Sequence, residues 1–134
     1  VAYFQATSMR IKYALVPVVA AVRGMCLGGG CEFQMHAAKA VFALESYIGL
    51  VEAGVGLLPA GGGLKELALR SANTAIGGDV FQQIQTIFEV PAMAKVATSA
   101  LEAKEMKLVR ATDPVIANKD ELLYVAKNEA LALA

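Results

Sequence analysis

Two short runs that are apolar on every face, Pro17-Val-Val-Ala-Ala-Val22 and Ala40-Val-Phe-Ala-Leu44, bracket a triple glycine and a helical stretch. A strand with one wet face alternates polar and apolar residues, whereas a run with no polar face is covered on both sides, as in a parallel sheet. Pro17 suits the opening of such a strand, because it has no N–H to give to a neighbour. Gly24 and then Gly28-Gly29-Gly30 follow the first run, and residues 31–39 read as a helix. Strand, helix and strand fit within about thirty residues, the size of a βαβ unit. The first half of the chain is thereby committed to an α/β fold.

The flanking segments extend this reading. Phe4, Met9 and Tyr13 predict a helix over residues 4–15. Residues 47–58 carry Gly49, Gly54 and Gly56 and predict an irregular strand and turn at the edge of a cavity, and residues 64–70 predict a short helix. Asp79 stands where an N-cap would, ahead of apolar residues Val80, Ile84, Ile87 and Phe88, and Pro91 is read as the helix end. Ser99-Ala-Leu-Glu102 is a capping box, and Asn118-Lys-Asp-Glu121 is an Asn variant of it before a last helix through Leu122, Val125, Ala126 and Leu133. The expected organisation is one unit over residues 1–134, α/β over 1–70 and all-helical over 71–134, with no internal repeat or linker.

Composition narrows the partners. Of the 134 residues 57% are hydrophobic, and twelve acidic side chains balance twelve basic ones. Zero net charge removes the field that nucleic-acid binding needs. The longest apolar run, residues 14–22, falls short of the ~20 residues that span a bilayer, so no membrane insertion is expected. Cys26 and Cys31 are too few for a disulfide framework and read as reduced thiols of a cytoplasmic protein. With the lone His36 they are also too few for a metal site. The start, Val1-Ala2-Tyr3-Phe4, has no initiator Met and no signal-peptide pattern, and reads as a truncation.

Two carboxylates stand out. Glu32 falls two residues beyond the triple glycine, in the first turn of the expected helix, and Glu52 is the only charge in Gly49-Leu-Val-Glu-Ala-Gly-Val-Gly-Leu-Leu. Burying a lone carboxylate is costly, so an acid in apolar surroundings points to a site. Two of them can divide proton donation and acceptance between them. A glycine turn ahead of a helix presents unpaired N–H groups that can hold a phosphate or a developing oxyanion, although by itself it is more simply a tight turn. Gly54-Val-Gly56-Leu-Leu-Pro59 has Pro where a dinucleotide fingerprint needs its third Gly, and Pro59-Ala-Gly-Gly-Gly-Leu-Lys65 lacks the Gly-Lys-Ser/Thr of a P-loop. His36 lies one turn after Glu32 and reads as a packed helix histidine rather than its dyad partner, and Cys31 as a packing residue.

Taken together, Pro17-Val-Val-Ala-Ala-Val-Arg-Gly and Gly28-Gly-Gly-Cys-Glu32 resemble the first signature of the crotonase (enoyl-CoA hydratase/isomerase) superfamily. Glu52-Ala-Gly-Val-Gly-Leu-Leu-Pro-Ala-Gly-Gly-Gly63 resembles its second, twenty residues on, and Ser99-Ala-Leu-Glu-Ala-Lys-Glu-Met-Lys-Leu-Val109 a later helix. The wording around Glu45 to Pro59 is similar to hydratase domains fused to 3-hydroxyacyl-CoA dehydrogenases.

The resemblance implies a partial crotonase fold, the C-terminal half of the domain, in which parallel strands and helices precede a helical segment. It implies hydration of 2-enoyl-CoA thioesters in fatty-acid β-oxidation, with a 3,2-enoyl-CoA isomerase, another crotonase, or a catalytically silent assembly fragment as alternatives. The Gly29 N–H would be one oxyanion donor, Glu32 would activate water, and Glu52 would exchange the proton at C2. Gly28, Gly30, Pro59, Gly61 and Gly62 would line the substrate. Coenzyme A enters as part of an acyl-CoA substrate, NAD only with a dehydrogenase domain elsewhere, and the assembly expected is a homo-oligomer. Ala60, Gly63, Lys107 and Ala38 depart from the family's usual Gly, Thr, Gly and Asp. The resemblance also implies that the second oxyanion donor and most coenzyme-A contacts come from the family's N-terminal half, which has no counterpart among these residues.

Overall fold

The computed structural model describes residues 1–73 and 78–134. Helix α1 (Ala2–Lys12) leads into strand β1 (Val19–Leu27), helix α2 (Gly29–His36) and strand β2 (Lys39–Gly49). A 3₁₀ turn (Glu52–Val55) and helix α3 (Gly63–Asn73) follow, then α4 (Val80–Ala92), β3 (Val96–Ala97), α5 (Ala100–Glu105), β4 (Val115–Ile116), a second 3₁₀ turn (Lys119–Glu121) and α6 (Leu122–Leu133).

β1 and β2 run parallel, as the two apolar runs predict, and α2 crosses between them. β2 is the central strand: β1 lies along one side, β4 pairs parallel at Phe42 and Ala43 and β3 antiparallel at Ile48 and Gly49 on the other. Both faces of β2 are covered, so Ala40, Val41, Phe42 and Ala43 are all buried. Phe42 and Ile48 pack with Met35 of α2, Leu67 of α3 and Leu108, while Val41 packs under Leu122 and Ala126 of α6.

Several features differ from the sequence expectation, among them α1, which ends at Lys12 rather than residue 15, and β2, which runs on from Leu44 to Gly49. The first strand does not stop at Val22 but runs to Leu27, through a register shift between Val22 and Gly24. Of its residues only Val22 and Cys26 are buried, because among the described residues β1 has β2 as its one neighbour. The helix after the triple glycine ends at His36, not Lys39. Its free carbonyls are met by guanidinium groups: Arg110 Nη2 donates to Ala37 O at 2.6 Å and Arg70 Nη2 to Met35 O at 3.1 Å. The C-terminal part also supplies two strands, β3 and β4, each two residues long. Elements that short show no periodicity in sequence.

Candidate active site

The turn from β1 into α2 is fixed at both ends. Gly28 caps α2 with φ 54, a left-handed value that suits glycine, and its N–H donates to Gly49 O at 2.9 Å, tying the turn to the end of β2. Gly29 is therefore the first residue of α2, where the helix offers its N–H no acceptor of its own. Glu32 follows within the first turn. The second glycine cluster starts another helix: Gly61 and Gly62 form a turn, and Gly63 opens α3. Two helix N-termini are thus brought to one place, and between them lies a cavity of about 310 Å³.

Gly29, Glu32 and Glu52 all line that cavity, with Gly61. Glu32 is 3% exposed, and its Oε1 accepts from the Gly63 N–H at 2.9 Å. Burial raises its pKa; the Gly63 amide opposes this, the Glu52 charge adds to the rise, and the amides of Gly61 and Gly62 oppose it further. The net direction is upward, so desolvation outweighs the amides. Glu52 stands in the 3₁₀ turn; its Oε2 is buried and has no hydrogen-bond partner among the described residues. Its Oε1 faces Gly28, where a Cβ would stand 3.3 Å away. The site therefore combines two carboxylates, one poised toward neutrality, with an unpaired amide at a helix start. That set can polarise a carbonyl and move protons beside it.

The other glycines and Pro59 divide. Gly28 flanks Glu52. Gly30 lines a separate cleft beside Phe33 and Cys26, because it lies on the face of α2 turned to β1. Pro59 is buried beneath the loop, and Gly62 packs on the ring of His36. Of these five residues, Gly61 is the one that lines the cavity holding Glu32 and Glu52.

His36 Nδ1 lies 2.7 Å from the backbone carbonyl of Glu32, not from its carboxylate, so the two do not form a dyad. Cys31 is wholly buried and its thiol is pushed up to about 12 by desolvation, as befits a packing residue. Among the described residues no group of three His, Cys, Asp or Glu could hold a metal, and no helix is long and apolar enough to cross a membrane. Clefts of comparable volume exist elsewhere, about 360 Å³ beside Arg23 and Glu45 and about 440 Å³ beside Lys104 and Lys107, but neither holds a pair of carboxylates.

The apolar walls were not foreseen. Val1, Phe4, Leu58 and Ala60 complete the lining, and Phe4 stacks on Phe33 with centroids 4.5 Å apart. Phe4 comes from α1, and no local pattern ties that helix to the glycines. Leu57 and Leu58, apolar residues in a glycine-rich turn, were the one available signal. Gln5 Nε2 donates to Ala60 O at 2.7 Å and helps hold α1 across the site.

The chain is similar to known proteins in both sequence and fold. Residues 2–128 match a family described as enoyl-CoA hydratase/isomerase. A Bacillus subtilis (strain 168) protein named "Probable 3-hydroxyacyl-CoA dehydrogenase" is 50% identical over 130 residues, 97% of this chain and 16% of that protein. A Shewanella halifaxensis fatty acid oxidation complex subunit alpha is 46% identical over 54 residues, 39% of this chain and 8% of the subunit. The crystal structure of an enoyl-CoA hydratase from Bacillus anthracis superposes with a TM-score of 0.72 at 26% identity, covering 98% of this chain and 45% of that one. The chain thus spans less than half of the solved structure and a far smaller part of the curated relatives.

Proposed function

Because the chain belongs to the enoyl-CoA hydratase/isomerase family, we propose that residues 1–134 are the C-terminal half of a crotonase domain whose complete protein hydrates 2-enoyl-CoA thioesters. Residues 1–70 carry its α/β part, and 71–134 a mainly helical part that adds the two short strands β3 and β4 to the sheet. The observation that carries this reading is the placement of Glu32 and Glu52 on one cavity with the start of α2. The Gly29 N–H receives the thioester oxygen, which makes C3 electrophilic. Glu32, ionised, takes a proton from water as the water oxygen bonds to C3, and Glu52, which enters the step protonated, gives its proton to C2 of the enolate. Glu32 needs its amide partner for this, since burial favours the neutral form that cannot act as base. Gly61 lines the bound acyl group, with Gly28 beneath Glu52.

An isomerase moves one proton between two carbons and can work with a single base, so the paired carboxylates favour hydration. The Shewanella relative's name supports a place in fatty-acid oxidation, and the proposed assembly is a cytoplasmic homo-oligomer. NAD would serve only a dehydrogenase domain outside these residues.

The test is loss of the conjugated enoyl absorbance of crotonyl-CoA in the complete protein. Glu32→Gln and Glu52→Gln are each expected to lower kcat by ~10²–10⁴-fold with acyl-CoA affinity retained. Near-native turnover in either variant removes that glutamate from the mechanism. Turnover of 3-enoyl-CoA with no hydration would replace the reading by an isomerase.

A further inference from the structure

The loop that holds Glu32 leans, on its far side, against a residue with no part in the chemistry above. Gly62 adopts φ +115, and a Cβ built on it would stand 2.7 Å from Cε1 and Nε2 of His36. Main chain and imidazole are therefore in direct contact, with no room for a side chain between them. His36 is 2% exposed. Its Nδ1 is anchored to the Glu32 carbonyl of α2 at 2.7 Å, and its Nε2 stands 3.6 Å from Glu66 of α3, without a hydrogen bond. Glu66 N–H in turn donates to Gly62 O at 3.0 Å. The ring is wedged among α2, the glycine loop and α3.

We propose that His36 is a positioning residue for Glu32, its imidazole being the stop against which Gly62 rests, so that the Gly63 amide stays on the Glu32 carboxylate. This rests on Glu32 acting as the base. The contact is steric, because the ring has little reason to take a proton: burial lowers its pKa. The facing acid, Glu66, is already matched by Lys12 of α1 at 2.5 Å and Lys65 of α3 at 3.0 Å. Glu32 for its part faces the carboxyl group of Glu52 from the 3₁₀ turn. Without the stop, the loop can drop by the few tenths of an ångström that separate a good amide–carboxylate bond from a poor one. Glu32 then loses the interaction that favours its charged form, and less of it is ionised at the acid end of the working range.

The experiment uses the complete protein with glutamate labelled by ¹³C at the side-chain carboxyl, the Glu32 signal being assigned by its absence in Glu32→Gln. His36→Ala is expected to move the Glu32 titration to higher pH. It should cut kcat/KM at the acid end about tenfold relative to neutral pH, with KM little changed. His36→Gln, which refills much of the space, should bring both readings back toward the wild type. A Glu32 titration unchanged in His36→Ala, or moved equally in His36→Gln, overturns the proposal. Should His36→Ala fail to fold, Gly62→Ala displaces the same contact from the other side, and an unchanged titration there overturns it as well. A wild type that hydrates no enoyl-CoA defeats the proposed function, while the carboxyl titration still decides the role of His36.

Discussion

Glu32 sets two opposing effects against each other at one side chain. A carboxylate this deeply buried tends to protonate, and the Gly63 amide at the start of α3 keeps a charged fraction available. On the proposed function Gly29 acts through its backbone alone, which gives a sharp prediction. Gly29→Pro removes the N–H and is expected to abolish turnover, loss of one such donor being worth ~10²–10³ in rate. Gly29→Ala keeps the donor but sets a methyl 2.8 Å from Cζ of Phe4, so it should retain more activity while KM rises. Steady-state kinetics on folded variants decides, and equal activities would make Gly29 a turn residue only. Both glutamates were legible in sequence, because an isolated acid in apolar surroundings is conspicuous. The contact between His36 and Gly62 was not, since it depends on the path of a loop that no local pattern specifies.

At the level of elements, caps were the most readable features. Asp79 accepts from Gln82 N–H and Ser99 from Glu102 N–H, as their spacing predicted. Helix C-termini were less readable. α5 ends in a Schellman motif, Leu108 N–H to Ala103 O and Lys107 N–H to Lys104 O, with Lys107 at φ 61; α4 ends the same way with Ala94 at φ 48. Neither position carries the glycine that announces such an end. A side chain in the left-handed region costs about 1 kcal/mol relative to glycine. Lys107→Gly is therefore expected to raise stability by about that amount in urea unfolding. No gain would mean that the Lys107 side chain returns as much through contacts of its own. The full length of β1 was hidden for a related reason: Arg23-Gly24 reads as the end of a strand, yet the register shift lets β1 continue past it.

For the molecule as a whole, the exposed apolar side chains stand out. β1 offers an open edge, Met25 on it is 81% exposed, and Leu15, Val16, Phe81 and Phe88 are exposed as well. Formal net charge is zero, so charge gives little resistance to association. Residues 1–134 taken alone are expected to self-associate and to hydrate crotonyl-CoA poorly, as light scattering beside the absorbance assay would show. Met25→Lys should reduce the association. An active, monomeric 134-residue chain would contradict this. The parallel α/β core was legible from two apolar runs, whereas the way α1 closes the cavity was not, because Phe4 meets Gly29 only through tertiary packing.

The donors at the starts of α2 and α3 belong to the main chain, and this has a genetic consequence. No single base change converts a glycine codon into a proline codon, so a point mutation does not delete the N–H of Gly29 or Gly63. Glutamate codons, in contrast, reach Gln, Lys, Val and Ala in one step. A duplicated copy drifting without selection could accordingly lose the carboxylate of Glu32 or Glu52 in one step, whereas the N–H of Gly29 outlasts any single base change.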